Sequence, residues 1–254
     1  MTFRLDLHLH TDRSPDSRLT LDEAVAAAKQ RSIDALAVAD HNRCPGADVF
    51  TSPLRDGVLL IPSVEYSTEL GHLLGLFLQR PCHAAGEETG RVRFRDAAET
   101  IHAAGGLCIL AHPFELTRYS ESEILAHLRA NADVLDGIEV YNRRATKKRK
   151  NANDLALAAC DGTAFLKTAG SDAHTKAEVG GASVTVEADA LTLPALRAAL
   201  TAPVGFSCGK CRHMAIARSQ YIRLQKTHAG FKARCRWLLF AAVCLLRSLK
   251  GVLQ

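Results

Sequence analysis

Histidines and carboxylates recur along this 254-residue sequence in short, ordered groups: His8-x-His10, Asp40-His41, Glu65, His72, His112 and Asp172-x-His174. Imidazole nitrogens and carboxylate oxygens are the donors that Zn²⁺, Mn²⁺ and Fe²⁺ take. Two histidines two residues apart on a strand project from the same face, so His8 and His10 can chelate one ion. A single pair of this kind is common by chance and more often serves a core or a surface. Six or more such positions gathered in one cleft are different, because burying uncompensated carboxylates and imidazoles together is costly without a cation. Convergence of the whole set would mark a site.

The elements that must bring these residues together can be read from hydrophobic period. Residues 3–10 alternate as a strand, and Thr20-Leu-Asp-Glu23 is a capping box that opens a helix to about Arg31. Residues 34–40, 58–64, 72–78, 107–111, 134–141 and 164–169 read as further strands, with a loop over 79–90. Helices are expected over 95–104, 121–131 and 146–160, the first of them ended by Gly105-Gly106. Strands alternating with helices of this length predict an α/β fold with a mostly parallel sheet. Seven such strands favour a barrel over an open sheet. In a parallel barrel the C-terminal strand ends form one rim, which is where nearly all of the ionisable residues fall.

Charge divides the chain in two. Residues 1–203 carry 22 basic and 27 acidic side chains, whereas residues 204–254 carry ten Lys/Arg and no Asp or Glu. The main domain is expected over 1–205, with a basic, partly amphipathic extension over 206–254 that could meet nucleic acid, an anionic membrane or an acidic partner. The apolar run Trp237 to Leu246 is too short to cross a bilayer, which needs about 20 residues. An interfacial helix, or one packed on the main domain or a partner, is the expectation there. No charged segment followed by an apolar stretch opens the chain, so a cytoplasmic location is expected, with peripheral membrane association through the C-terminal segment left open. Eight cysteines at irregular spacing do not form a disulfide framework. The sequence does not set an oligomeric state.

Seven stretches occur in a characteristic order: Asp6-Leu-His-Leu-His-Thr11, Ser14-Pro-Asp-Ser17, Ala37-Val-Ala-Asp-His-Asn42, Val64-Glu-Tyr-Ser-Thr68, Gly71-His-Leu-Leu-Gly75, Ala111-His-Pro-Phe114 and Gly170-Ser-Asp-Ala-His174. Together they resemble the PHP (polymerase and histidinol phosphatase) metallohydrolases. The resemblance implies a distorted (β/α)7 barrel holding two or three divalent ions, Zn²⁺, Mn²⁺ or Fe²⁺. It implies that His8, His10, Glu65 and Asp172 hold the first ion and that Glu65 bridges to a second held by His72 and His112. Asp16, His41 and His174 are implied for a third, with Asp12 as the local competitor of Asp16. Asp40, which precedes the histidine, is read as a support behind the donors or as structural, not as a ligand.

Clustered divalent ions lower the pKa of a shared water and neutralise phosphoryl oxygens. With no G-x-S-x-G elbow and no phosphate loop of the Walker type, a metal-bridged hydroxide is the expected nucleophile. His41 or His174 could protonate the leaving oxygen. Arg143, just past the sixth strand, is either a phosphate clamp or part of a solvated run with Arg144 and residues 147–150. Arg13, Arg18 and Arg118 are read as surface charges. Cys208-x-x-Cys211 with His213, and His228 or Cys235 beyond, could hold zinc, but an incidental pair is the expected reading. His83, His102 and His127 are read as ordinary surface residues. The expected function is hydrolysis of a small phosphorylated substrate or nucleotide. A 3′ to 5′ exonuclease or DNA-repair module, and a non-catalytic regulatory or structural domain, are the alternatives.

Overall fold

The computed structural model describes residues 1–90, 92–115, 119–147 and 149–252. Its elements are β1 (Thr2–Leu9), α1 (Leu21–Gln30), β2 (Ala35–Val38), α2 (Ala47–Thr51), β3 (Leu54–Arg55), β4 (Val58–Pro62), β5 (Val64–Thr68), β6 (Gly71–Leu76), α3 (Phe94–Ala103), β7 (Leu107–Ala111), α4 (Glu121–Ala130), β8 (Gly137–Asn142), α5 (Ala152–Ala158), β9 (Leu166–Gly170), β10 (Ala182–Glu187), α6 (Leu193–Ala199), β11 (Gly205–Cys208), α7 (His213–Lys226) and α8 (Phe231–Val252). The strands make two sheets, ordered β11-β10-β1-β2-β4-β3 and β5-β6-β7-β8-β9.

Burial follows from strand position. β1 alternates in sequence, yet its residues 5–9 are all buried, because β10 and β2 flank it and both faces are covered. Leu5 and Leu7 point inward and join Ala35, Ile61, Leu74 and Ile109 in one apolar interior fed by both sheets. An irregularity in β1 between Asp6 and Leu9 breaks the alternation, and Leu9 falls in a second cluster with Ala24, Ala27 and Ala28 of α1. The predicted capping box is present: Thr20 Oγ1 accepts from Glu23 N at 3.2 Å, and Glu23 Oε2 accepts from Thr20 N at 3.1 Å. It fixes where α1 begins, and so the length of the loop between β1 and α1.

Two seams tie the sheets together. At one, Asp172 N donates to His8 O (2.7 Å) and His10 N to Ala173 O (2.9 Å). At the other, Glu65 N donates to Asp40 O (3.1 Å) and Asn42 N to Glu65 O (2.8 Å). The backbone that joins the sheets is therefore the backbone that carries the candidate residues. The α/β expectation holds, arranged as two seamed sheets around one interior.

The sheet is less parallel than predicted. β6 runs antiparallel to both of its neighbours, β5 and β7, and β10 to both of its own, β1 and β11. Only two residues separate Thr68 from Gly71, and a connection that short can only reverse the chain. The expected single strand over 58–64 divides at Ser63, with β4 before it and β5 after. Residues 205–208 form β11 on β10, so the first sheet continues to Cys208 before the helical extension begins. That extension is the pair α7 and α8, joined by a 2.8 Å hydrogen bond from Trp237 Nε1 to Ala217 O and by the Tyr221–Trp237 ring contact at 4.7 Å.

Candidate metal centre

All nine predicted donors meet at one end of the two sheets. The antiparallel turn at Gly71 explains His72, which opens its strand yet lies on the same rim as residues that end theirs. His8, His10 and Glu65 are fully buried, Asp172 and His112 nearly so. Glu65 is the hub. Its Oε1 lies 2.8 Å from His72 Nδ1, 3.2 Å from His112 Nε2 and 3.4 Å from His8 Nε2, and its Oε2 lies 2.8 Å from His41 Nδ1 and 3.3 Å from His10 Nε2. His10 Nε2 is also 3.3 Å from Asp172 Oδ1 and 3.1 Å from His8 Nε2. On the other flank Asp16 Oδ2 lies 3.2 Å from His174 Nε2 and 3.6 Å from His41 Nε2. Asp12 is exposed, so of the two competing carboxylates it is Asp16 that reaches the cluster.

Three of the seven non-glycine residues with positive φ among the described residues lie here. Asp172, His112 and Asn42 have φ of 53°, 28° and 49°, a region that non-glycine residues seldom adopt and that surrounding structure must hold. Close packing does part of that work. A Cβ on Gly170 would collide with His8 Cβ and His8 N, so only glycine lets β9 press against β1 beneath the cluster.

A second layer orients the donors, and sequence reading missed most of it. Glu139, central in β8, takes His8 Nδ1 at 3.0 Å and also accepts from His112 N and Asn142 Nδ2 at 3.0 Å each. A carboxylate on Nδ1 leaves Nε2 of His8 free to donate its lone pair to an ion. The available signal was a glutamate between Ile138 and Val140, at the centre of a strand. Ser14 Oγ bonds His10 Nδ1 (3.2 Å), Asp40 Oδ1 (2.9 Å) and His41 N (3.0 Å). Asp40 spends its oxygens on Thr11 N, Thr11 Oγ1 and Ser14 Oγ. Asp6 accepts from Ser171 N, Ser171 Oγ and Gly180 N, and burial pushes its carboxyl up to about 6 against those bonds. Glu178 binds the Arg144 guanidinium through two hydrogen bonds, at 2.9 and 3.0 Å, and accepts from His174 N.

The electrostatics show how interdependent the cluster is. Burial works against ionised Glu65, yet the histidines around it, His72 first, hold its carboxyl well below the usual range. Burial likewise works against charge on His41, but Glu65 and Asp16 override it and raise the imidazole to about 10. His112 is raised to about 9 in the same way, chiefly by its bond to Glu65. His10 goes the other way: burial, with His174 and His41 beside it, lowers it to about 3. Asp16 and Asp172 are held well below the normal carboxylate range by neighbouring imidazoles despite burial.

The donor set fits divalent cations. Asp16 Oδ1 is buried with no hydrogen-bond partner, and Glu65 Oε2, although beside His41 and His10, receives no well-directed hydrogen bond, a cost that a cation would remove. Within 4.8 Å lie His8, His10 and Asp172; His8, His112 and Glu139; His41, Glu65 and His72; and His10, His41 and His174. These groups overlap, as donors of adjacent ions must.

Arg143 is half-buried and bonds two backbone carbonyls. Its Nε donates to Lys210 O (3.0 Å) and its Nη1 to Glu178 O (3.3 Å), so it fastens the segment after β11 rather than facing the cluster or solvent alone. Arg144 is the buried guanidinium whose charge reaches Asp172 and Asp16. Arg13 and Arg18 bond Cys44 O and Gln225 Oε1, while Arg118 and Lys148 lie outside the described residues. Among the described residues no group of three donors includes Cys208, Cys211 or His213. His83 and His102 pair with Glu87 and Asp136, and His127 lies against Tyr119, all apart from the cluster.

The extension reaches the site indirectly. Lys226, the last residue of α7, donates from Nζ to the carbonyls of Asp12 (2.7 Å), Ser14 (2.8 Å) and Ser17 (2.7 Å), the loop that carries Asp16. Ser219 of the same helix accepts from Arg144 Nη1 at 3.3 Å.

Comparison with known proteins agrees with this geometry. The PHP domain model matches residues 6–176, and a PHP-associated model matches residues 150–203. The protein named Uncharacterized protein MJ1587 of Methanocaldococcus jannaschii is 31% identical over 168 residues, 61% of this chain and 89% of that protein. Among solved structures, a candidate metal-dependent phosphoesterase from Bifidobacterium adolescentis superposes with a TM-score of 0.54 at 18% identity, covering 68% of this chain and 88% of its own. Endonuclease Q in complex with a 27-mer duplex containing an abasic lesion superposes with a TM-score of 0.58 at 17% identity, covering 84% of this chain and 61% of its own. At such identities the likeness is one of fold. With the family model spanning residues 6–176 of 254, this chain belongs to the PHP domain family.

Proposed function

We propose that this chain is a metal-dependent phosphoesterase acting on a small phosphorylated molecule or nucleotide. The observation that carries the reading is one buried carboxylate, Glu65, within 3.4 Å of five imidazoles. In this reading His8, His10, Glu65 and Asp172 hold a first divalent ion, and Glu65, His72 and His112 a second. Asp16, His41 and His174 hold a third, or act on the leaving group when only two ions are present. Bound divalent ions supply an activated water and neutralise phosphoryl oxygens.

The chain's own residues do the rest. Glu139 and Ser14 fix the rings of His8 and His10, so neither must reorganise as charge builds. His72 and His41 have the more exposed side chains of the hub, 31% and 17%, and meet a substrate arriving from solvent. With no third ion bound, His41, 3.6 Å from Asp16 Oδ2 and on the more exposed side of the hub, can hand a proton to the departing oxygen.

Metal analysis followed by assay on phosphomonoesters, cyclic and bisphosphorylated nucleotides and short oligonucleotides tests the proposal. Activity should vanish on exhaustive chelation, return with Mn²⁺ or Zn²⁺, and fall by about 10³-fold or more in Glu65→Ala. Hydrolysis that survives chelation, or an active Glu65→Ala, sinks it. The fold likeness to endonuclease Q supports a second reading in which the same centre cuts a nucleic-acid backbone. Oligonucleotides hydrolysed in preference to every small phosphoester would favour it.

A further inference from the structure

The 22-residue helix α8 has two unlike faces. One leans on α7: Trp237 bonds Ala217 O and its ring lies tilted against Tyr221, and Cys244 is buried two turns beyond. At about 100° per residue, the opposite face carries Phe231, Leu238, Leu245 and Leu249 in one row, with Leu239 and Leu246 beside it. These six side chains are between 49% and 81% exposed. A continuous stripe of this kind marks an interaction surface, unlike apolar residues scattered singly. Its borders are basic, with Arg234 on one side and Arg236 and Arg247 on the other, and residues 204–254 contain no acidic side chain.

We propose that α8 lies in the surface of an anionic lipid bilayer, its leucine stripe at the boundary of headgroups and acyl chains and its arginines among the phosphates. The charge distribution selects this occupant. A second copy meeting face to face would set arginine rows against arginine rows with no carboxylate between them. A nucleic acid would satisfy the arginines but leave six apolar side chains in water. An anionic membrane satisfies both. No helix among the described residues is long and apolar enough to cross a membrane, so α8 would lie on the surface rather than span it. Because α7 is fastened through Lys226 to the loop bearing Asp16, docking would hold the metal-centre domain at a fixed attitude to the lipid.

The test is co-sedimentation of the full chain with vesicles of phosphatidylcholine alone and of phosphatidylcholine mixed with an equal amount of phosphatidylserine. Binding is expected only to the mixed vesicles, weakening with salt, and falling about fivefold for each arginine in Arg234→Gln and Arg236→Gln. The triple variant Leu238→Ser, Leu245→Ser, Leu249→Ser should lose binding while keeping its circular dichroism spectrum and its metal content. Equal binding by the triple variant would overturn the proposal. So would failure to bind mixed vesicles, whether the chain instead bound duplex DNA or formed a dimer that the triple variant dissolves in analytical ultracentrifugation. None of these readouts depends on phosphoesterase activity.

Discussion

The two flanks of the metal centre are built differently. The His8, His10, Glu65 and Asp172 flank sits on strands or just past their ends, at the seams between the sheets, with every residue buried and His8 braced by Glu139. The Asp16, His41 and His174 flank takes its carboxylate from the loop between β1 and α1, which is held from outside by Asp40 through Thr11 and Ser14, by His174 O through Ser17 Oγ, and by Lys226 at the end of α7. Strand positions are fixed by ladders of hydrogen bonds and a shared apolar core, whereas a loop opens at much lower cost. The contrast teaches that donors of one centre can differ in rigidity, so ions are expected to be held with graded affinity, strongest at the seam and weakest at Asp16.

That contrast can be broken at several points. Removing the brace of the rigid flank should have the largest effect: Glu139→Gln is expected to weaken the tightest ion by about 10- to 100-fold, read by competition with a chelating dye. An unchanged tightest ion would mean the ladder alone positions His8. Next is pH. In the metal-free protein His41 and His112, raised to about 10 and about 9, carry protons at neutral pH that an ion must displace. Mn²⁺ affinity should therefore rise about tenfold per pH unit for each proton released between about 6.5 and about 9, with calorimetry in two buffers counting the protons. The sign reverses for the stability of the metal-free chain. The contribution of these raised histidines is complete below 6.5, their ordinary value, and is lost as pH climbs through about 9 and about 10.

The looser flank should respond to its strap. Lys226→Met removes three hydrogen bonds from a charged donor and should weaken only the most weakly held ion, by about tenfold. Metal stoichiometry at limiting Mn²⁺ measures it, and equal loss of all ions would erase the distinction between the flanks. The smallest effect is expected at Arg143, which faces Lys210 O and Glu178 O. Arg143→Gln should change KM by less than about threefold, since a guanidinium engaged away from the substrate adds little to transition-state binding. A larger rise in KM would restore it as a phosphate clamp.

Chemical type and order were legible along the chain. His8-x-His10, Glu65, His72, His112 and Asp172-x-His174 are donors whatever the fold, and the capping box at Thr20 and the breaks at Gly105 and Gly106 are local signals that the structure repeats. What needed tertiary structure was everything set by partners distant in sequence. The antiparallel course of β6 brings His72 to the rim, Gly170 lets β9 lie against His8, and Glu139 becomes a brace only because β8 sits beside the seam. Arg143 and Lys226 illustrate the same point from opposite sides: a basic residue next to the site turns away to bind backbone, and one more than 200 residues from the loop it holds reaches back to it. Local sequence determines hydrogen-bonding capacity and helix ends because those depend on neighbouring residues. Which buried donor faces which acceptor depends on how the sheets close, and that the three-dimensional packing alone decided.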